Sequence, residues 1–324
     1  MRPFTRCQAH VLMPNQFGYV QGMPPAAHQL VKHAGVVLLT TLVVSTRLEA
    51  SDACVPMPVT AGAAPATSQA ISQHRMAIAS LNIAGNPRIA GALVDWTGER
   101  AFDVLLLQEV GSSSHDGSGF AAALSARLGY HFAYAPAQPL GKSGTQGLAI
   151  VSRHPLRDIR SYPLTYHRLR FRSRCRVGLA ATLDTNHGPV RVVNVHLDTR
   201  INSRDRLAQL EPLVTALSAL DGPQVIGGDF NTMNIRWFRT MWPLLLGERQ
   251  TTAVRTRLSG HGFQTPSASG PPTIKFFGLP FRLDWIYVKG IEILDWNVDD
   301  VGYTDHRGVW ASVAQSDPHA PLGD

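Results

Sequence analysis

Lysine is nearly missing from this chain of 324 residues: it fills four of the 30 basic positions and arginine fills the other 26. The formal charge is still +7. A basic balance of that size fits an anionic partner, such as nucleic acid, a phosphorylated substrate or anionic lipid, and does not choose among them. Cysteine is also scarce. Cys7, Cys54 and Cys175 are the full set, with no Cys-x-x-Cys spacing, which excludes a zinc site built on cysteine. No internal repeat is present. Apolar content is not lacking: at 44% it excludes wholesale disorder, and the length allows one large domain or two ordinary ones.

Residues 34–46 form an uncharged, largely apolar run, preceded by Lys32 and His33 and followed by the small residues Ala50, Ser51 and Ala53. A basic flank, an apolar core and a small-residue cut site are the layout of a secretory leader. The core is short of the roughly 20 apolar residues that a spanning helix needs. Residues 1–53 are therefore expected to be a signal peptide or an N-terminal anchor, with Met23 as a second candidate start. Export to the periplasm or the medium follows, with membrane anchoring by this segment as the alternative. Cys7 would leave with a leader. Cys54 and Cys175 would remain, but two cysteines so far apart do not by themselves specify a bridge. Residues 54–74, rich in Ala, Pro, Thr and Ser, read as a flexible linker. The folded domain is expected over 75–316, with a tail at 317–324.

Within the domain, Met76–Ile83, Asp103–Val110, Gly147–Ser152, Pro223–Gly228, Leu283–Val288 and Val309–Ala314 read as strands. Val177–Asp184 and Val190–Leu197 flank Asn186-His187-Gly188 and read as a hairpin. Arg88–Glu99, Phe120–Leu128 and Arg204–Leu220 carry helical spacing, and Pro212 predicts a kink or break in the last. Hairpins mixed with helices do not give the regular alternation of a doubly wound sheet. Two packed sheets with helices outside fit better.

Polar groups recur where these apolar runs end: Asn82, Glu109, His196, Asp229 with Asn231, and Asp305 with His306. Asp284 sits inside a strand. Acids in apolar strands are costly unless paired, ligated or hydrogen-bonded. A cap or a satisfied surface acid explains any one of them, but not the whole set. In Ile226-Gly227-Gly228-Asp229-Phe230-Asn231, an extended trace would point Asp229 and Asn231 to one side. A carboxylate and an amide aimed together suit a hard metal and a phosphate oxygen.

The series Leu81-Asn82-Ile83, Leu107-Gln108-Glu109-Val110, Gly147 to Arg153, Asn194-Val195-His196-Leu197-Asp198, Arg206 with Gln209, Gly228-Asp229-Phe230-Asn231, Arg282-Leu283-Asp284 and Thr304-Asp305-His306-Arg307 resembles the endonuclease/exonuclease/phosphatase superfamily. The resemblance implies an α+β fold, a four-layer α-β-β-α sandwich with the site at one end of two mixed sheets. It implies Glu109 as principal Mg²⁺ ligand, with Mn²⁺ as an alternative ion, and Asn82 and Asp305 as supporting ligands. It also implies His306 as general base, Asp284 as the acid orienting it, Asp229 and Asn231 as positioning groups, and His196 as a stabiliser of phosphate oxygens. The implied activity is phosphodiester hydrolysis on nucleic acid or a phospholipid head group. A phosphomonoesterase and a non-catalytic binding relative are the alternatives. The Asn-x-His-Leu motif is similar to the nuclease, sphingomyelinase and phosphatase branches and unlike abasic-site endonucleases.

Three segments bear on the substrate. Arg168, Arg170, Arg172, Arg174 and Arg176 alternate and would share one face of an extended strand, tracking phosphates or blocking an edge. Trp237, Phe238, Trp242 and Leu244–Leu246 suit a core helix or, alternatively, a membrane-touching surface. Phe276 to Phe281 form an apolar loop that could pack or hold a lipid or a base. No obligate protein partner is evident.

Overall fold

Alternation along the first long strand sets the layers. Ile78 faces one apolar cluster while Ala79 and Leu81 face another, as the two-residue period of a strand requires. The protein is described by a computed structural model over residues 54, 57–64, 75–112, 119–141, 144–266, 270–276 and 278–315. The segment 1–53 expected as a signal peptide or anchor, most of the expected linker after Gly62 and the tail 317–324 lie outside the described residues.

In chain order the elements are β1 (Thr60–Gly62), β2 (Arg75–Asn82), α1 (Ala90–Arg100), β3 (Val104–Ser112), α2 (Gly119–Leu128), β4 (His131–Leu140), β5 (Gly144–Ser152), β6 (Leu156–Pro163), β7 (Val177–Thr185) and β8 (Gly188–His196). There follow α3 (Ser203–Ser218), β9 (Gln224–Asp229), β10 (Ile235–Phe238), β11 (Trp242–Gly247), α4 (Gln250–Ser259), β12 (Ile274–Phe276), β13 (Leu279–Phe281), β14 (Asp284–Lys289), β15 (Glu292–Asp299) and β16 (Gly308–Ala314). A seven-stranded sheet runs β1-β4-β5-β3-β2-β16-β15 and a five-stranded sheet runs β14-β9-β8-β7-β6. The β2–β3 and β8–β9 pairs are parallel and the other pairs of these two sheets are antiparallel.

One apolar cluster joins the facing sides of the sheets, with Ile78, Val104, Leu106 and Ile150 from one sheet and Leu179, Val192, Val225 and Ile286 from the other. A second packs Leu93, Trp96, Ala121 and Leu124 of α1 and α2 on the outer face of the seven-stranded sheet. A third packs Leu210, Leu213, Leu217, Val254 and Leu258 of α3 and α4 outside the five-stranded sheet. These are the four layers of an α+β sandwich. Polar groups also cross between the sheets: Asn194 of β8 donates to the carbonyls of Leu107 and Ala149, and Gln108 donates to Asn194 Oδ1.

Four expectations need correction. The segment 54–74 is not all linker. β1 pairs with β4, Thr60 opposite Tyr134, and Cys54 is bridged to Cys175 with their Cα atoms 5.6 Å apart. An edge strand asks only for backbone partners, so a Thr-Ala-Gly composition does not rule one out. Helix α3 runs through Pro212 without a break. The carbonyl that proline cannot satisfy, Ala208 O, accepts the Thr165 hydroxyl instead. Residues 164–176 form no strand, so the five arginines do not share a strand face. Finally, Trp237, Phe238 and Trp242 lie on an antiparallel hairpin, β10–β11, and not on a helix. Its turn places Arg239 and Thr240 at positive φ without a glycine or an asparagine to announce it.

Gly228 brings β9 against β8 where no side chain fits: at φ +148, a Cβ there would lie 2.0 Å from Val195 O. Gly228→Ala should therefore lower stability by about 3 kcal/mol or more. Urea unfolding would check this, and a loss below about 1 kcal/mol would show that β8 and β9 can separate freely.

Candidate active site

Strand register assembles the centre of the site. The parallel β8–β9 pairing sets His196 beside Asp229, and the antiparallel β14–β9 pairing sets Asp284 on its other side. These side chains share one edge because β8 and β9 end, and antiparallel β14 begins, at the same level. His196 Nε2 lies 3.4 Å from Asp229 Oδ2. His306, from the loop before β16, brings Nδ1 to 2.9 Å from Asp284 Oδ2 and Nε2 to 3.9 Å from Asp229 Oδ2. Donor atoms of Asp229, Asp284 and His306 all fall within 4.8 Å of one another, and all three residues are buried.

The seven-stranded sheet supplies the opposite wall. Asn82, at the end of β2, donates to Asp229 Oδ2 at 3.1 Å and reaches Glu109 Oε1 at 3.4 Å. Its Oδ1 accepts the Ala84 N–H, so a turn of the amide is required before that oxygen can face a cation. Glu109 does not end its strand, as the sequence predicts, but sits in a bulge of β3 between Leu107 and Val110, at φ 55. The bulge re-aims the carboxylate out of the ladder. Asn231 departs likewise from the extended trace. β9 stops at Asp229 and Asn231 turns to φ 52, where its N–H caps Asp229 Oδ1 at 2.9 Å and its amide donates to Leu197 O. Both residues still face the site, through a turn and not through alternation.

A cleft of about 480 Å³ opens over this centre and is lined by Asn82, Glu109, His196, Asp229, Asn231, Asp305 and His306. Asp284 lies behind His306 and does not line it. Every residue predicted for the site is thus placed in it or directly behind it. The arm 164–176 adds Arg172, Arg174 and Arg176 to the wall, which the alternation signal picked out for the wrong geometric reason. Arg176 is paired with buried Asp198, while Arg174 stands 3.8 Å from Glu109 Oε1. Gln146, 3.5 Å from Glu109 Oε2, was not anticipated, because a lone amide in a strand carries no motif. Trp237, Met233, Ile274 and Leu283 form an apolar wall on one side.

Charge in this pocket is poorly solvated, and the protonation pattern follows. Burial, reinforced by the nearby Asp284 carboxylate, raises Asp229 from 3.8 to about 7. Burial alone would depress His306, but Asp284, by charge and hydrogen bond, together with Asp229 and Asp305, raises it to about 10. Burial and the neighbouring Arg176, His306 and Arg174 hold His196 well below 6.5, so it is neutral. Fully buried Arg206 of α3 donates to the carbonyls of Asp198, Phe230 and Ile201, pinning the loops after β8 and β9.

The donor set fits a hard divalent cation. Glu109 is held only by contacts of 3.4–3.8 Å. Asp284 Oδ1 is buried without a partner, and Asp305 makes no hydrogen bond or ion pair among the described residues. Free carboxylate lone pairs with few nitrogens and no thiolate suit oxygen-seeking ions.

A sequence model of the Endonuclease/Exonuclease/phosphatase family matches residues 79–312. The chain belongs to this family. No curated protein sequence matches the chain. Among solved structures, an endonuclease/exonuclease/phosphatase from Beutenbergia cavernae is similar at 20% identity and TM-score 0.59, over 76% of this chain and 74% of that one. The human Nocturnin catalytic domain with bound sulfate is similar at 20% identity and TM-score 0.53, over 75% and 94% of the two chains. An AP endonuclease from Archaeoglobus fulgidus gives 20% identity and TM-score 0.52, over 73% and 98%. Identities this low establish a shared fold.

The raised pKa values fix the sign of a pH effect. A folded-state pKa of about 10 for His306 means a contribution that is complete below its unfolded value of 6.5 and lost as pH climbs through 10. Asp229, raised to about 7, acts in the same direction between 3.8 and 7, because the folded state holds the proton longer. Urea unfolding in chelator should show stability falling from pH 6 to pH 10 by a few kcal/mol in order of magnitude. The slope above pH 7 should be largely lost in His306→Gln. A flat wild-type profile would refute the charge pattern.

Proposed function

We propose that this member of the family is a Mg²⁺-dependent phosphodiesterase, with Mn²⁺ as a competent substitute. The observation that carries the reading is the Asp284–His306 pair at 2.9 Å, turned toward Asp229 and His196 at the floor of an arginine-lined cleft. Asp284 fixes the ring tautomer, leaving Nε2 to take the proton from an attacking water. The surrounding carboxylates raise His306 to about 10 and favour its imidazolium form. Reducing that negative field lets the ring give up its proton and serve as a base. Glu109, Asp305 and Asn82 would hold the ion, whose chemistry is Lewis-acid neutralisation of the phosphoryl oxygens. Neutral His196, Asn231 and Arg174 would contact those oxygens, and Asp229 would orient the water.

The rim of the cleft favours a substrate with an apolar part, presented at a lipid surface. Phe171, Phe238 and Trp242 are 53%, 51% and 59% exposed, and the exposed Arg170, Arg236 and Arg239 lie among them. Aromatic rings beside cations suit an anionic interface. The same features also allow stacking of single-stranded nucleic acid, which makes it the second reading. A phosphomonoester is the third. The leader-like N-terminus and the Cys54–Cys175 bridge support an exported protein. No helix among the described residues is long and apolar enough to cross a membrane.

Hydrolysis should be measured on phospholipid vesicles, RNA, single-stranded and plasmid DNA and a monoester, each with Mg²⁺, Mn²⁺ or chelator. Cleavage is expected to vanish with chelator. His306→Ala should lower kcat by roughly 10²–10⁴-fold, and Asp284→Asn by a similar factor. Full activity in His306→Ala would remove the proposed base. A monoester preference would reassign the reaction.

A further inference from the structure

Residues 164–176 connect β6 to β7 without helix or strand, yet they carry Leu169, Phe171, Arg172, Arg174 and Arg176 into the cleft wall. Such an arm needs anchors. Its base is closed by the Leu164 N–H on Arg176 O and tied to α3 by Thr165, whose hydroxyl donates to Ala208 O and whose carbonyl accepts from Gln209; its outer part is held by the Arg170 N–H on Thr240 Oγ1 and by Arg200 on Phe171 O. Ser173 closes only onto Leu169, within the arm. At the catalytic end, the residue between the two cleft arginines is Cys175, and it is bridged to Cys54.

Cys54 belongs to the N-terminal stretch that leads into β1, on the edge of the seven-stranded sheet, whereas the arm feeds β7 of the five-stranded sheet. The bridge therefore ties the two sheets together beside the site. Cys175 also lines a small recess behind Glu109 and His196, together with Gln146. Arg176 is locked by its 3.0 Å pair with Asp198. Arg174 is not locked: it lines the cleft, and its 3.8 Å ion pair with Glu109 is too long for a hydrogen bond. A planar fork of donors recognises phosphate well only when its backbone is fixed, since misplacement by about 1 Å can cost on the order of a hundredfold in rate.

We propose that the Cys54–Cys175 disulfide is a positioning element of the active site, holding the arm so that Arg174 stays aimed at the phosphate of the substrate. This rests on the phosphodiesterase reading given above for the role of Arg174, but not for the anchoring of the arm. Reduction takes up two electrons and two protons, gives two thiols and frees the arm from the β1 edge. With dithiothreitol as reductant, the electrons come from its conversion to the cyclic disulfide. The arginine then samples many positions, and the site keeps its acids and histidines while losing its phosphate grip.

The test compares the full chain, oxidised and reduced by dithiothreitol, by hydrogen exchange and by kinetics on the best substrate of the panel. On reduction, exchange in peptides covering 164–176 should rise at least tenfold, while β8 and β9 stay protected. kcat/KM should fall about 10–100-fold, chiefly through KM. Arg174→Ala in the oxidised enzyme should lose a similar factor, and reducing that variant should cost less than a further twofold, because both changes remove one interaction. Cys54→Ala should reproduce the reduced enzyme without reductant. Unchanged protection of the arm would overturn the proposal. So would a reduced, folded enzyme whose kcat/KM stays within twofold. Loss of protection in β8 and β9 together with the arm would also overturn it, by showing a general staple instead of a local one. The exchange measurement reads the arm even with no substrate cleaved, so failure of the hydrolase reading would be seen separately.

Discussion

Two aspartates, Asp229 and Asp284, stand on adjacent strands in register, both sealed from water. Two buried carboxylates side by side cannot both remain charged and unpaired, and much of the local structure resolves that conflict. Asp284 is matched to His306. Asp229 is met by the Asn231 N–H and the Asn82 amide, and is held partly protonated. Stored repulsion of this kind is what makes a site receptive to a cation. The carboxylates that are hard to keep inside a protein become satisfied when positive charge arrives.

Holding these groups requires backbone that pairing alone would not choose. Glu109 and Asn231 both sit at positive φ, and both contribute to the cleft. Strain at such positions persists only where the surroundings over-determine it. Arg206 does this for the loops after β8 and β9, spending its donors on main-chain carbonyls. Asn194 and Gln108 do it between the sheets, so the wall with Asn82 and Glu109 keeps its distance from the wall with His196 and Asp229. A sandwich joined only by apolar side chains would allow sliding; directed hydrogen bonds do not.

The sequence made the site more legible than the paths that lead to it. Asn82, Glu109, His196, Asp229, Asp284 and His306 could be picked out because each is polar in an apolar run, and desolvation makes that pattern expensive unless used. Their geometry was less legible. Nothing in Leu-Gln-Glu-Val announces a bulge at Glu109, and nothing after Asp229 announces that Asn231 turns. The two-residue period reads as an unbroken strand in both places. The β10–β11 hairpin was hidden because its turn uses Arg239 and Thr240 at positive φ, where hairpin signals rely on glycine and asparagine. The short edge strand β1 was hidden for a different reason. Three residues held by backbone bonds leave no side-chain pattern, and the bridge that secures them spans a separation of 121 positions.

The two sides of the site have also been built from different materials. His196, Asp229 and Asp284 stand at the ends of paired strands, Glu109 in a bulge of β3 and His306 just before β16, so ladders hold or flank each of them. Arg172 and Arg174, with Phe171, ride on an arm without secondary structure, beside two hairpins whose outer residues are apolar and exposed. Chemistry on a phosphoester asks for fixed groups, because proton transfer and charge neutralisation fail when distances drift. Recognition of what surrounds the phosphate tolerates loops, and loops are the parts of a fold that accept change without disturbing the core. An arm of this kind is useful only if it is tied down at both ends while its side chains stay exposed along the cleft. Cys175 lies at one end and Phe171 on the outer part. On that division the arm joins a rigid centre of acids and histidines to a surface of exposed aromatic rings and arginines.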